Sequence, residues 1–261
     1  MGLYLQSVSE MNGLKCLLAV LVVLVLVTPL AHAQSVDCPR SAAPVTIDGK
    51  WDGTEWDDAA ELPLVAVSGS GYKSGEGFVR VKYDDSYFYA IVDFISVSTA
   101  GGSDGAGIQF DTDNDGGNHP KPDDYRFDAD YRGQGWMAQG TGSDFQWGLP
   151  LPRGALVDAS ISSSPHSSKN HPIYEFRIPL SIFPKTSTAR FAAAVWKGST
   201  PNLVLIIWPE NYYRDVPNTW GTINFPTPVP EFTSTVVVIT LAFAVATLVT
   251  RIRAKKRIYR E

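Results

Sequence analysis

Cysteine is scarce in this 261-residue chain, which contains only Cys16 and Cys38. Cys16 lies in an apolar run near the N-terminus, which leaves Cys38 alone in the rest of the chain. A lone cysteine either stays free or pairs with another chain, because it has no partner for an internal disulfide. We therefore expect a fold that depends on burial of a hydrophobic core, or on a bound metal ion.

Several signatures of enzymes and of modified proteins are also missing. The chain has no Asn-x-Ser/Thr sequon, no Gly-x-Ser-x-Gly motif and no Cys/His cluster with zinc-ligand spacing. No pair of carboxylates stands out as the acid and nucleophile of a glycosidase. These observations predict that the protein is not an enzyme.

Positive charge is in short supply outside the C-terminus. The chain has a net charge of −5, its last eleven residues contribute +5 and its first 33 contribute zero, so residues 34–250 carry −10. An acidic domain is a poor partner for a phosphate backbone, and we expect no nucleic-acid partner.

An uncharged run lies near the N-terminus, at residues 16–30. It follows Lys15 and precedes Ala31-His32-Ala33, which is typical of a secretory signal peptide with cleavage after Ala33. We therefore expect residues 1–33 to be a signal peptide; the alternative is an uncleaved N-terminal anchor.

A second uncharged run, residues 232–250, is long enough to span a bilayer as a helix. Six basic residues follow within the tail 251–261, and positive charge beside a span stays on the cytoplasmic side. The sequence thus predicts a single-pass C-terminal transmembrane helix, a cytoplasmic tail, and a body on the extracellular face of the cell membrane.

Residues 226–231 form a proline-rich linker, and its last two residues together with Phe232 make up the motif Pro230-Glu231-Phe232. This motif, followed by the apolar span and the basic cluster, resembles the PEF-type sorting tail of archaeal surface proteins. The resemblance implies a further partner, a membrane-embedded sorting enzyme (an archaeosortase), which would cut near the motif and transfer the protein to a lipid.

Residues 44–225 have the length of one domain, and residues 34–43 form an extension before it. Short segments alternate apolar and polar residues and are separated by turns, whereas helical periodicity is nearly absent. The sequence therefore predicts an all-β fold, a single antiparallel β-sandwich of jelly-roll or immunoglobulin-like type. The predicted strands cover residues 78–83 and 87–94, which form a hairpin, and residues 125–131, 173–179, 190–197 and 203–208.

The order of four motifs resembles the family 9 carbohydrate-binding modules (CBM9) and their DOMON-like relatives. "IDGKWDGTEWDDA" at 47–59 resembles the opening of that family, and "VKYDDSYFYAIVDF", "IQFDTDNDGG…DDYRF" and "YEFRIPLSIF" follow in the family's order. The resemblance covers nearly all of residues 44–225. It implies a β-sandwich that binds saccharide, with bound calcium in some members. Members of unrelated function exist, so the resemblance does not identify the ligand of this chain.

The segment between 108 and 127 is rich in aspartate. Asp111, Asp113 and Asp115 alternate and precede a glycine, as at the start of a calcium loop, but an EF-hand is excluded because its last ligand would be Pro122. Asp123 or Asp124 would supply the distal carboxylate. The alternative is a polar turn without metal, since Asp, Asn and Gly favour turns.

Tryptophans supply candidates for saccharide binding. Trp136 and Trp147 lie in a glycine- and glutamine-rich segment of low hydrophobicity, which favours exposed rings that stack on sugars. Trp51, Trp56 and Trp196 are expected in the core.

Two other functions remain open at this point. Some DOMON relatives bind haem through one Met and one His, and Met137 with His166 or His171 are the residues available for such a pair. A structural or adhesive surface protein without a small-molecule ligand is the second alternative.

Overall fold

The computed structural model describes residues 34–67, 71–183, 187–198 and 204–226. These residues form fourteen β-strands and two short 3₁₀ turns, with no α-helix among them. None of the helical turns in this part of the chain is long and apolar enough to cross a membrane. The predicted signal peptide, sorting motif, transmembrane helix and basic tail lie outside the described residues.

The strands, in chain order, are β1 (Ser35–Asp37), β2 (Ala60–Pro63), β3 (Val65–Ala66), β4 (Phe78–Tyr83), β5 (Tyr87–Asp93), β6 (Gly105–Asp111), β7 (Asp124–Asp130), β8 (Gly135–Gly140), β9 (Phe145–Leu149), β10 (Leu156–Ser164), β11 (Ser167–Pro179), β12 (Thr188–Lys197), β13 (Val204–Trp208) and β14 (Gly221–Asn224).

Two sheets form the sandwich. The nine-stranded sheet has the order β1-β14-β12-β6-β7-β8-β9, and β13 pairs with β12 and with β3. The five-stranded sheet has the order β10-β11-β5-β4-β2. The all-β sandwich and the hairpin of β4 and β5 are confirmed. The antiparallel prediction fails in one place, because β1 runs parallel to β14.

The exception comes from residues 34–43, which were predicted as an extension and instead contribute to the sandwich. Val36 pairs with Ile223, and the Cys38 N–H donates a 2.8 Å hydrogen bond to the Asn224 carbonyl. Cys38 is fully buried and free, so it is not exposed for pairing with another chain. A three-residue strand is too short to show alternation, and only its tertiary pairing reveals it.

The core lies between the sheets and is built from the inward faces of alternating strands. Val79 and Val81 of β4 and Phe88, Ala90 and Val92 of β5 are completely buried, as the alternation predicts. Phe88 also packs edge-to-face on an aromatic ring of the opposite sheet, with 5.0 Å between ring centroids. Burial of each of these valine and phenylalanine side chains contributes about 1.5–3 kcal/mol, which makes this core the main source of stability.

The outer face of the five-stranded sheet is also covered. Residues 44–59, hereafter the covering segment, bring Trp51 and Trp56 onto Tyr89 and Ile91 of β5. Both of these β5 side chains are buried although they point away from the main core. The prediction that Trp51 and Trp56 are buried is confirmed.

One carboxylate fastens the covering segment to the sheet. Glu175 of β11 accepts hydrogen bonds from the backbone N–H groups of Asp48 and Gly49, both at 2.8 Å, and from the indole of Trp56 at 3.0 Å. Gly49 has φ +74° and lies so close to Ala159 that a Cβ atom would meet backbone at 2.5 Å. Two of the motifs that carry the family resemblance thus meet at Glu175, where burial raises the pKa to about 8.

Candidate functional site

A cavity of about 600 Å³ lies on the outer face of the nine-stranded sheet. We name it the aromatic cavity. Five aromatic side chains and two Arg–Asp pairs contribute to its lining: Trp136, Trp147, Trp196, Tyr212, Tyr213, Arg126, Asp128, Arg214 and Asp215. Two of the rings are accessible to solvent, since Trp147 is 42% exposed and Tyr213 is 64% exposed.

The strand period of two explains why these residues share one face. Arg126 and Asp128 alternate on β7, and Asp128 is directly opposite Trp136 of β8. Trp196 of β12 is opposite Gly105 of β6. Side chains in register on neighbouring strands project together, so the order of β12, β6, β7, β8 and β9 assembles the cavity from residues far apart in sequence.

Glycines on β6 make room for the residues at the base of the aromatic cavity, which we call its floor. A Cβ atom at Gly107 would come within 2.2 Å of Asp128 Oδ1, and one at Gly105 would come within 2.7 Å of the Trp196 ring. The absence of side chains at these two positions therefore allows the Arg126–Asp128 pair and Trp196 to lie flat against the sheet.

Arg126 and Asp128 form a buried ion pair with 2.7 Å between Nε and Oδ1. Trp136 of β8 lies directly opposite Asp128 in the strand register. The Arg126 guanidinium carbon lies 5.3 Å from the ring centroids of both Trp147 and Trp196, within range of a cation–π interaction. The floor is thus polar and neutral overall, with aromatic rings on either side.

The loop after β13 forms one wall. Its Arg214 holds Asp215 through two 2.8 Å hydrogen bonds and lies 5.1 Å from the Trp147 ring centroid. Gln109 of β6 donates to the Arg214 carbonyl at 2.9 Å and accepts from the Tyr212 hydroxyl, whose pKa burial raises to about 12. These hydrogen bonds fix the wall to the sheet.

The structure brings Trp136 and Trp147 into the same cavity, which the sequence did not establish. The expectation that Trp196 is a core residue is wrong. It is half-buried and lines the cavity, because its parity on β12 is that of Ala192 and Ala194 on the outer face. Its indole donates to the Ser103 carbonyl at 2.8 Å.

Other cavity residues escaped the sequence analysis. Arg126 and Asp128 alternate with apolar residues on the predicted strand 125–131 and point away from the core, but they are buried rather than solvated. Tyr212 and Arg214 lie in a loop with no periodic pattern, so no sequence signal related them to strand β7.

The aspartate-rich segment connects β6 to β7. One carboxylate oxygen from each of Asp111, Asp113, Asp115 and Asp123 lies within 4.8 Å of the others. Asp124 does not belong to this group, although it is buried beside it and opposite Asp111 in the strand register. We name these four aspartates together with Asp124 the acidic loop.

Basic groups balance only part of this charge. Lys121 Nζ lies 2.6 Å from Asp115, and Arg190 Nε lies 3.3 Å from Asp111. Burial, together with the nearby carboxylates, raises the pKa of Asp123 to about 6 and that of Asp124 to about 8. One buried carboxylate oxygen of each has no hydrogen-bond partner.

The donor set of the acidic loop therefore suits a hard cation. Carboxylate oxygens are the ligands that calcium prefers, and two orphaned buried oxygens are the kind of atom that an ion satisfies. The left-handed backbone of Asn114 (φ 62°) and Gly116 (φ 65°) turns the chain so that alternate aspartates converge.

The residues of the haem alternative lie on different sheets. Met137 belongs to β8 and packs against the main core, whereas His166 and His171 contact Asp93 of the five-stranded sheet. Both ring nitrogens of each histidine face oxygen atoms, so the geometry does not favour this pair as axial ligands.

No protein-family model matches the chain, and no curated protein matches its sequence. The fold is similar to that of a family 9 carbohydrate-binding module from Caldicellulosiruptor kristjanssonii in complex with cellotriose. The two are 15% identical with a TM-score of 0.57, over 77% of this chain and 97% of that one. The structure of such a module from the same organism with glucose gives 16% identity and a TM-score of 0.55, over 77% and 100%. This chain has a CBM9-like fold.

Proposed function

We propose that the protein is a carbohydrate-binding module and that the aromatic cavity is its saccharide site, with binding but no catalysis. The observation that carries the proposal is the convergence of Trp136, Trp147 and Trp196 around a floor of paired charges. The two structural neighbours, which bind cellotriose and glucose, support the same class of ligand.

The aromatic and the charged residues of the cavity would contact different parts of a sugar. A pyranose ring has flat apolar faces that pack on an exposed indole such as Trp147. Its hydroxyl groups both donate and accept hydrogen bonds, and the Arg126–Asp128 pair offers donors and acceptors side by side. Because this pair is already formed, a sugar binds without leaving a buried charge alone.

A glycan array followed by calorimetry with glucose and cellotriose tests this proposal on the purified full-length chain. We expect saturable binding that Trp147→Ala and Trp136→Ala weaken. Tyr131→Ala is the matched control, because Tyr131 is a partly exposed aromatic residue that does not line the cavity. A blank array, or equal binding by all variants, would favour the structural or adhesive alternative.

We further propose that the acidic loop holds one calcium ion with a structural role. Asp111, Asp113, Asp115 and Asp123 would supply oxygen ligands, and Asp124 would act beside them. When bound, the ion offsets carboxylate repulsion and orders the connection between β6 and β7. Extracellular modules bind calcium with dissociation constants of about 10⁻⁴–10⁻³ M.

The test is thermal unfolding in EDTA and in several millimolar calcium. We expect calcium to raise the melting temperature by mass action, and Asp113→Asn to abolish the increase. Asp57→Asn, an exposed carboxylate in the covering segment, should keep it. Coincident curves in EDTA and calcium would mean that the loop is a polar turn.

Display on the extracellular face of the membrane is a separate proposal, which rests on residues 1–33 and 227–261 of the sequence. We expect the N-terminus of the mature protein to be Gln34 and the protein to fractionate with membranes, by its C-terminal span or by a lipid after processing at Pro230-Glu231-Phe232. Recovery from the cytoplasm with its N-terminal segment intact would contradict this.

A further inference from the structure

A second cluster of titratable side chains lies on the outer face of the five-stranded sheet, whereas the aromatic cavity and the acidic loop belong to the nine-stranded sheet. Its centre is Asp93, a buried residue at the end of β5. Two histidines of the β10–β11 hairpin contact its two carboxylate oxygens, His166 at Oδ2 and His171 at Oδ1. The proposed saccharide and calcium sites use none of these residues.

His171 faces an acceptor at each ring nitrogen. Nδ1 lies 2.6 Å from the Lys169 carbonyl oxygen, and Nε2 contacts Asp93 Oδ1. The side chain is only 1% exposed, which leaves little access for water. A neutral imidazole carries one N–H, so one of its nitrogens would point a lone pair at an oxygen acceptor. Nε2 and Asp93 Oδ1 are in contact without a hydrogen bond of regular geometry, and a proton on Nε2 turns this contact of two lone pairs into an ion pair.

His166 repeats this arrangement with two carboxylates. Nδ1 lies 2.8 Å from Asp93 Oδ2, and Nε2 lies 3.0 Å from Glu61 Oε2. The ring stacks on Phe78, with 3.9 Å between centroids, and meets the edge of Trp51. Its orientation is therefore held by packing. Nδ1 is hydrogen-bonded to Asp93, and Nε2 forms an ion pair with Glu61 when the ring is doubly protonated.

We propose that His166 and His171, as imidazolium cations, clasp the tip of the β10–β11 hairpin onto strands β2 and β5, and that loss of their protons opens this clasp. The tip needs such a contact, because β11 pairs with β5 only from Ile173 onward. Residues 162–171 therefore extend past the end of the neighbouring strand.

While both histidines are neutral, the charged groups that face them sum to −1, from two carboxylates and one guanidinium. Asp93 of β5 and Glu61 of β2 are the acidic groups, and Arg80 of β4 donates to Glu61 at 2.7 Å. The charge of Arg80 opposes protonation of His166. Trp51 of the covering segment is uncharged, β11 presents the Lys169 carbonyl, and Ser164 donates to Asp93 at 2.6 Å.

The expected shifts agree with this geometry. The hydrogen bond to Asp93 raises the pKa of His166 more than burial lowers it. Burial lowers the pKa of His171, but the contact with the Asp93 carboxylate and its charge outweigh burial, and the net direction is upward. Burial raises the pKa of Asp93, and its contacts with both histidines and Ser164 reverse this. The clasp is thus complete below about pH 6.5, the ordinary histidine value, and is lost as pH rises through the higher folded values.

Nitrogen-detected NMR of the full-length protein labelled at histidine tests the protonation directly. We expect two N–H signals on each of two rings at a pH above 6.5, assigned to His166 and His171 by their loss in His166→Gln and His171→Gln. His119, which is exposed, provides the reference ring. If both rings are neutral at pH 7, the proposal is overturned, whether or not the variants fold.

Amide hydrogen exchange tests the opening. After correction for the intrinsic pH dependence, exchange at residues 162–167 should accelerate as the rings deprotonate. The largest acceleration of exchange is about tenfold for each pH unit by which the histidine pKa in the folded state exceeds that in the unfolded state. His166→Gln should remove most of this acceleration, and His119→Gln should preserve it. Acceleration that is the same in His166→Gln as in the native chain would contradict the clasp.

Discussion

The outer faces of the two sheets carry the same kinds of residue and use them differently. Each has tryptophans, an arginine paired with a carboxylate, and a glycine that permits close approach. On the five-stranded sheet, the covering segment brings Trp56 to complete burial over β5 and fastens itself to Glu175. On the nine-stranded sheet, Trp147 remains 42% exposed beside a cavity.

The difference teaches that residue type does not decide between core and binding surface. An indole covered by its own chain contributes to folding, because its apolar area is removed from water permanently. An indole left uncovered still has apolar area exposed to water, and a ligand that buries this area gains the same kind of stabilisation. The same holds for the charges, since Glu175 is saturated by internal donors whereas Arg126 and Asp128 lie at a cavity that a ligand can enter.

The largest expected effect is the difference in stability between variants of Trp56 and of Trp147. Trp56→Ala should lower the free energy of unfolding by about 3–5 kcal/mol, because it empties a fully buried site. Trp147→Ala should change it by less than about 1 kcal/mol, since the ring is partly exposed, and should weaken saccharide binding by roughly 30-fold, equivalent to about 2 kcal/mol. Denaturant unfolding and calorimetry on both variants measure this, and equal losses of stability would erase the distinction.

Glu175 provides the next test. Glu175→Ala leaves three buried donors without an acceptor, each worth about 1–3 kcal/mol, so we expect a loss of about 3 kcal/mol or more. The control is Glu76→Ala, which removes one hydrogen bond in an exposed turn. Denaturant midpoints compare the two, and a loss no larger than that of the control would mean that the covering segment is held by apolar contacts alone.

Gly107→Ala tests the floor of the aromatic cavity. A Cβ atom 2.2 Å from Asp128 Oδ1 must displace the Arg126–Asp128 pair, an overpacking that costs typically about 1–3 kcal/mol. We expect saccharide affinity to fall by about tenfold while the fold persists, as measured by calorimetry and circular dichroism. Gly101→Ala introduces a methyl group into open space at a position without a left-handed backbone, and should leave affinity unchanged.

The smallest effect concerns the pH dependence of the acidic loop. Without metal, the raised pKa values of Asp123 (about 6) and Asp124 (about 8) mean that the folded state retains protons above pH 4. Their contribution to stability in EDTA is present at low pH and is lost as pH rises through 6 and 8.

Calcium competes with those protons, so the melting-temperature increase that it causes should grow from pH 5 to pH 8. The apparent affinity should be about tenfold weaker at pH 5 than well above pH 6, because one unit below a pKa the site is about nine-tenths protonated. Scanning calorimetry across this range measures the effect. An increase that is independent of pH would exclude Asp123 as a ligand.

The sequence by itself determined the fold class, because a period of two along several segments is a local property that survives in any arrangement of strands. It also specified the converging aspartates, since Asp111, Asp113 and Asp115 are neighbours and local backbone geometry suffices to orient them. Trp136 and Trp147 were selected for their polar surroundings in the chain, which is likewise local information.

Only the tertiary structure decided which residues meet across strands. Strand order joined Arg126, Trp147 and Trp196 into one cavity, and it joined Asp93 to His166 and His171, which are more than seventy positions later in the chain. Alternation along β12 places Trp196 on one face of the strand, but it does not tell whether that face is covered or exposed. Coverage is a property of the whole fold, because it depends on where the covering segment lies, and no window of sequence contains that information.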